Sequence, residues 1–267
     1  MYSDPSSVLT VSEAWGVFQV FLRLVALCTV APVFGSREIP APARIGLALL
    51  LALVVHPVVA QTLAPMPDGL FPLVAVVFRE TLIGLALGTL VSLLFSAATV
   101  AGDLMDVQMG FGMAAIFNPA LGAQTAMMGQ FLYRYTLVVF LLLNGHHLLL
   151  DGVVSSFTAL PGDRFAPLGD PTAGLRLVGD LATTILASGL RIAAPAVATL
   201  LIVDVALALV SRAAPQVNVF LLGMPIKVVV GLLVFVAALG LTTTVLQNYS
   251  ADAPRASLTG LSRAFGN

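Results

Sequence analysis

Charge is what this sequence has least of. Of its 267 residues 9% are charged, where an average soluble domain carries about 25%. So few charges cannot cover a water-exposed surface. With 59% hydrophobic residues and a mean hydropathy of +1.03, the bilayer is the expected solvent for most of the chain. Neither sign is in excess: 12 basic and 13 acidic residues leave a formal net charge of −1. That excludes nucleic acid as an expected partner, because neutralising phosphates needs clustered Lys and Arg. Cysteine is nearly absent. The single Cys28, inside an apolar run, cannot form an intrachain disulfide and is expected to be a packing residue; the redox compartment is neither supported nor excluded.

Other signals are missing too. The opening residues Met1-Tyr2-Ser3-Asp4-Pro5 carry no basic stretch and no small-residue cleavage site. A removable signal peptide is not expected, and the first apolar run should be retained as a membrane helix. There is no P-loop, no Rossmann fingerprint and no nucleophile elbow. His56, His146 and His147 have no Cys, Asp or Glu at metal-ligand spacing, so no metal centre is expected. With no catalytic constellation and no cofactor motif, the expectation is a protein that is not an enzyme.

What is present is a series of long apolar runs. A helix needs about 20 apolar residues to cross the hydrocarbon core. Candidates cover 14–34, 43–60, 73–100 with a continuation to about 114, 131–150, 180–211 and 217–245. Pro-rich turns at 35–42, with Arg37 and Glu38, and at 61–69 separate the first three, and Asn118-Pro119-Ala120-Leu121-Gly122 is turn chemistry. The stretch 161–179 is the most polar and is expected to be a loop; the tail from Asn248 is expected to be irregular. The last two runs read as an antiparallel hairpin. Backbone satisfaction in lipid allows helices or closed barrels, and continuous runs exclude the barrel alternation. The expected fold class is therefore all-α: an integral membrane helical protein of about six long apolar helices plus a pore-loop segment, closing in a helical hairpin. Arg37 and Arg44 put the first turn in the cytoplasm, but the later arginines give no clean topology.

Several features bear on mechanism. Arg23, Arg79, Glu80, Asp103, Asp106, Arg134, Arg191, Asp204 and Lys227 lie in or beside apolar runs. Each costs roughly 2.5–3.5 kcal/mol at the bilayer centre. They either pair within the monomer or snorkel, or they face protein or a water-filled path. Gly84, Gly88, Ser92 and Ser96 recur every four positions, a small-residue stripe for close helix packing inside the chain or against a partner. The segment 103–130 holds Met105, Met109, Met113, Met127 and Met128, five of the chain's 8 methionines. Met105, Met109 and Met113 share one helical face; Gly102, Gly110, Gly112 and Gly122 interrupt the region, and Phe111, Ile116 and Phe117 add bulk. Adaptable methionines and permissive glycines suit a deformable apolar collar around a pore, and equally a Met-filled helix face followed by a loop. Asn144-Gly145-His146-His147 interrupts another run and is expected to make a polar helix–helix contact.

At these residues the sequence resembles the FliR family of flagellar export-gate proteins. Phe78-Arg79-Glu80-Thr81-Leu82-Ile83-Gly84 is similar to that family's charged pair and Ile-Gly step. Ala101-Gly102-Asp103 with Gln108-Met109-Gly110 resembles its next block, and Asn118-Pro119 stands where the family has an acidic residue before Pro. Asn144-Gly145-His146, Thr158-Ala159-Leu160-Pro161, Gln216-Val217-Asn218-Val219-Phe220 and Gly223-Met224-Pro225-Ile226-Lys227 follow in the family's order. The resemblance implies a single export-gate domain: a FliP-like portion over 1–179, a FliQ-like hairpin over 180–247 and a polar tail over 248–267. It implies assembly with FliP-like and FliQ-like subunits, docking of FlhB-like and FlhA-like proteins, and passage of unfolded rod, hook and filament proteins through an inner-membrane gate at the basal body. The plug loop carries over to 110–123. Met105, Met109, Phe111, Met113, Ile116 and Phe117 then become candidate plug residues. Arg79, Glu80, Asn144, His146 and Lys227 become candidate assembly or buried polar contacts. The subunit of a virulence injectisome is the nearest alternative. A small-molecule transporter would predict inverted repeats, which the sequence lacks.

Overall fold

The computed structural model of the protein describes residues 10–36, 39–111, 127–160, 171–216 and 218–265, with the backbone alone at 171–178, 180–181, 220 and 248–265. Seven α-helices and one short 3-10 turn, Ala60–Thr62, make up its regular structure among the described residues. The helices are α1 (Val11–Val30), α2 (Ala41–Val59), α3 (Leu70–Met109), α4 (Met127–Leu142), α5 (Gly145–Ala159), α6 (Pro171–Ala213) and α7 (Val219–Phe265). The all-α membrane fold expected from composition holds. Among the described residues five helical stretches are long and apolar enough to cross a bilayer, and α4 with α5 meets that test only as a bent pair, a broken span or a re-entrant turn.

Local chemistry sets the boundaries. α1 opens on a capping box, the Thr10 hydroxyl accepting the Glu13 amide at 3.3 Å and the Glu13 carboxylate accepting the Thr10 amide at 2.8 Å. α2 starts behind Pro40 with a second proline in its first turn, where a missing N–H does no harm. The guanidinium of Arg44 closes the α1–α2 turn by donating to the carbonyls of Phe34 at 2.9 Å and Ser36 at 3.1 Å. α3 is one unbroken helix of 40 residues, roughly 60 Å at 1.5 Å per residue, about twice the hydrocarbon thickness.

Four expectations are corrected. The run 131–150 is not one span: Asn144 takes a left-handed conformation (φ 57°) and separates α4 from α5. Asn is one of the few residues that enters that region readily. The polar stretch 161–179 is not all loop, because α6 is already helical from Pro171, a residue whose fixed φ suits a first helical position; 161–170 lies outside the described residues. The tail from Asn248 stays helical to Phe265. Its alanines, leucines and arginines are good helix formers, and polarity by itself does not end a helix. α3 stops at Met109 rather than near 114.

The chain divides into two compact units. The first takes residues 1–92, 144–178 and 252–267, and the second 93–143 and 179–251. The first is cored by Val20, Leu24, Leu27 and Cys28 of α1, with Ala48, Ala52 and Val55 of α2, Ile83 and Leu87 of α3, and Val153 and Phe157 of α5. The second is cored by Ala101, Met105 and Met109 of α3, Leu132 of α4, Ile192, Ala196 and Leu200 of α6, and Phe235 and Ala238 of α7. The apolar windows of α2, α6 and α7 are each only 22% buried. A surface that apolar needs lipid or other protein against it.

Candidate functional site

In the first unit the chain consumes its own charges. Arg23 of α1 and Glu80 of α3 are both sealed from solvent; Nε and Nη2 of the arginine lie 2.7 and 2.6 Å from Oε2 of the carboxylate. The same guanidinium donates to Ser156 Oγ of α5 at 2.8 Å, and its Cζ stands 3.6 Å from the centre of the Phe157 ring. One cation therefore ties three helices by an ion pair, a hydroxyl and a cation–π contact. Arg79 donates to the Leu160 carbonyl at 2.8 Å and lies 3.8 Å from Glu80. Glu80 thus has its counter-charge inside the chain, 57 residues away, and Arg79 is anchored to the end of α5.

The small-residue stripe divides in two. A Cβ on Gly84 would land on the Arg23 carbonyl, and one on Gly88 would lie 2.9 Å from the Leu27 carbonyl. These glycines let α1 cross α3 backbone to backbone. Ser92 donates to the Thr89 carbonyl at 2.8 Å, and Ser96 is half-buried.

In the second unit Asp106 holds the base of the segment proposed as a plug. α3 ends in a Schellman motif: Gly110 is left-handed (φ 84°), its amide donates to the Val107 carbonyl at 3.2 Å, and the Phe111 amide reaches the Asp106 carbonyl at 3.1 Å. The Asp106 side chain crosses to α4 and accepts from the amides of Met128 at 3.0 Å and Gly129 at 3.3 Å. Those amides belong to the first turn of α4, where four N–H groups have no partner within the helix and the dipole favours negative charge. Asp106 therefore serves as a cap borrowed from another helix, and it joins the two ends of the 112–126 stretch. A Cβ on Gly102 would fall on Gly129, so this glycine is a helix-contact position rather than a hinge.

Of the candidate plug residues, Met105 and Met109 are 0% and 1% exposed in the core of the second unit, and Met109 lies over Gly231 of α7. Both are core packing residues of this unit. Phe111 packs half-buried against the same core. Met113, Ile116 and Phe117 lie outside the described residues, as do Arg37, Glu38 and Asn118. On the hairpin, Lys227 of α7 pairs with Asp204 of α6. Asn144 is exposed and makes the α4–α5 break, while His146 packs its ring 4.3 Å from that of His147. Sequence reading noted Arg23 and Asp106 as costly charges but missed their roles. Their partners are 57, 133 and 22 residues away, and no spacing rule links them.

Comparison with known proteins places this architecture. Residues 14–253 match the family described as bacterial export proteins, family 1. The chain is 34% identical over 229 residues to the flagellar biosynthetic protein FliR of Bacillus subtilis (strain 168), covering 86% of this chain and 88% of that protein. It is 30% identical over 224 residues to the flagellar biosynthetic protein FliR of Escherichia coli (strain K12), covering 84% of each. The protein of that name from Aquifex aeolicus (strain VF5) is 30% identical over 234 residues, 87% of this chain and 88% of its own length.

Proposed function

This chain belongs to the bacterial export proteins, family 1, and from that membership we propose that it is the FliR-type subunit of a flagellar type III protein-export gate. The observation that carries the reading is 34% identity to a flagellar biosynthetic protein over 86% of this chain. The chain is a membrane protein of the flagellar apparatus. Its finer placement is the bacterial inner membrane at the basal body, beside FliP-like and FliQ-like subunits and in contact with FlhB-like and FlhA-like proteins. Its cargo is unfolded rod, hook and filament protein. The 1–179 portion plays the FliP-like role and the 180–247 hairpin the FliQ-like role.

The mechanism is gating without bond chemistry. Met113, Ile116 and Phe117 fill the closed pore with apolar bulk that ions cannot enter. Asp106 and the glycine-ended Schellman turn fix the two ends of their segment, and Met105 and Met109 pack in the core of the second unit. The names of the relatives favour the flagellar system over an injectisome. A gentle-detergent pull-down from native membrane tests the assembly: FliP-like and FliQ-like chains should co-purify in a fixed ratio, and a lone monomer would overturn the reading. Deleting 110–122 should leave that recovery intact and make the membrane leak ions. Unchanged conductance in an assembled deletion variant would remove the plug role.

A further inference from the structure

The lysine and arginines of the membrane helices whose side chains are described fall into two groups. Arg23, Arg44, Arg79 and Lys227 end on a carboxylate or carbonyl oxygen of this chain. Arg134, Arg191 and Arg212 are exposed and have no such partner among the described residues. Arg191 and Arg212 bracket 192–211 of α6, a length that matches the hydrocarbon core, so each can sit at a membrane surface. Arg134 is placed differently. It lies mid-way along α4, about 10 Å from Met127 and about 12 Å from Leu142 at 1.5 Å per residue. That is further than an extended arginine reaches, so its guanidinium does not pass either end of the helix.

Its neighbours on the same helical face are Phe131, whose ring also meets Phe235 of α7 edge-on at 5.4 Å, and Val138 and Leu142; the three are exposed by 50, 53 and 75%. The adjoining stretch 112–126 contains no acidic residue to supply a counter-charge. Lipid tails would accept Phe131, Val138 and Leu142 but not the guanidinium between them. An apolar helix bearing one carboxylate satisfies all four, and the planar fork of an arginine suits a two-point contact with it. We propose that the α4 face formed by Phe131, Arg134, Val138 and Leu142 docks a transmembrane helix of a second polypeptide, which sets an Asp or Glu carboxylate against Arg134. This rests on the chain being one subunit of a membrane assembly.

The test places a photo-crosslinking residue at Val138 of the full-length chain in its native membrane, and reads the mass and identity of the adduct. The expected result is a defined transmembrane polypeptide. Its adduct should fall more than about tenfold in Arg134→Glu and Arg134→Leu, as loss of a charged hydrogen bond implies, and fall less in Arg134→Lys, which keeps the charge but not the two-point contact. Replacing one carboxylate of the captured helix by Lys should restore the adduct in Arg134→Glu. An adduct with phospholipid alone, or a protein adduct indifferent to Arg134→Leu at matched chain levels, overturns the proposal. Arg134→Leu keeps the helix apolar, so a folding failure of the Glu variant leaves the test decisive. Flagellar export is scored separately in a strain lacking the chain. Normal export there with an Arg134-dependent adduct would remove the gate function and leave the docking surface standing.

Discussion

The carboxylate of Asp106 lies 3.0 Å from the amide nitrogen of Met128, across a gap of 22 residues in the chain. Two helix ends meet there: the backbone of Asp106 closes the Schellman turn of α3, and its side chain opens α4. A single buried residue thus sets where the intervening stretch leaves and where it returns.

Removing this cap should loosen the base without dismantling the unit. Asp106→Ala deletes the acceptor of two α4 amides, a loss of about 0.5–2 kcal/mol for an N-cap. Asp106→Asn keeps one acceptor oxygen and should lie between. Limited proteolysis of the purified complex, at matched chain amounts, should cut within 112–126 fastest in Asp106→Ala. Equal cleavage of all three proteins would show that Asp106 does not restrain the stretch.

The Arg23–Glu80 pair predicts a strong asymmetry between single and double replacements. Arg23→Met leaves a carboxylate at 1% exposure without its cation, and Glu80→Leu leaves a guanidinium at 0%. Breaking one side of a buried pair costs about 3–5 kcal/mol, whereas replacing both sides by apolar groups is often neutral. Thermal retention of monodisperse protein in detergent should fall steeply in either single variant and recover in Arg23→Met with Glu80→Leu. Additive losses in the double variant would mean that the two residues do not act as a pair.

Much of the fold was legible because lipid leaves little choice. Continuous apolar runs and Pro-rich turns located α1, α2, α3 and the hairpin to within a few residues at most boundaries. The misreadings arose where local chemistry outweighed hydropathy. Asn144 breaks an apolar run by adopting a left-handed φ, and α7 crosses the change to polar sequence at Asn248 without stopping. The candidate site was less legible for a different reason. Met105 and Met109 stand on one helical face in the sequence, and nothing local says whether that face meets a pore or α7. Glu80 was singled out, but Arg23 as its partner follows only from the crossing of α1 over α3 at Gly84.

That crossing can be tested through its glycines. At Gly84 an added methyl meets backbone, the Arg23 carbonyl, which cannot turn aside as a side chain could. Gly84→Ala should therefore cost about 1–3 kcal/mol, as overpacking does. Gly46, in the second turn of α2, has no atom within 4 Å of such a methyl. Gly46→Ala should be neutral or gain about 0.4–1 kcal/mol from reduced unfolded-state freedom. A thermal-shift measurement should show a lowered midpoint for Gly84→Ala and no lowering for Gly46→Ala, and a harmless Gly84→Ala would show that α1 has room to move.

Lys227 and Asp204 offer the clearest distinction between a bond inside the chain and one to a partner. Their side chains are 23% and 38% exposed, so the pair is neither sealed nor fully solvated. Its strength should lie between the 0.2–1 kcal/mol of exposed pairs and the roughly 3–5 kcal/mol of broken buried ones. Lys227→Glu sets two carboxylates against each other on the facing helices of the hairpin and should reduce recovery of the assembled complex. The exchange Asp204→Lys with Lys227→Asp restores opposite charges at the same place. If the pair works as a clasp within the hairpin, the exchange should return complex recovery to near the starting level. If Lys227 instead meets a carboxylate of another subunit, the exchange should fail as badly as Lys227→Glu alone, because the partner would then face an aspartate. Recovery measured for the two variants side by side therefore decides whether α6 and α7 carry their own charge balance or depend on the assembly for it.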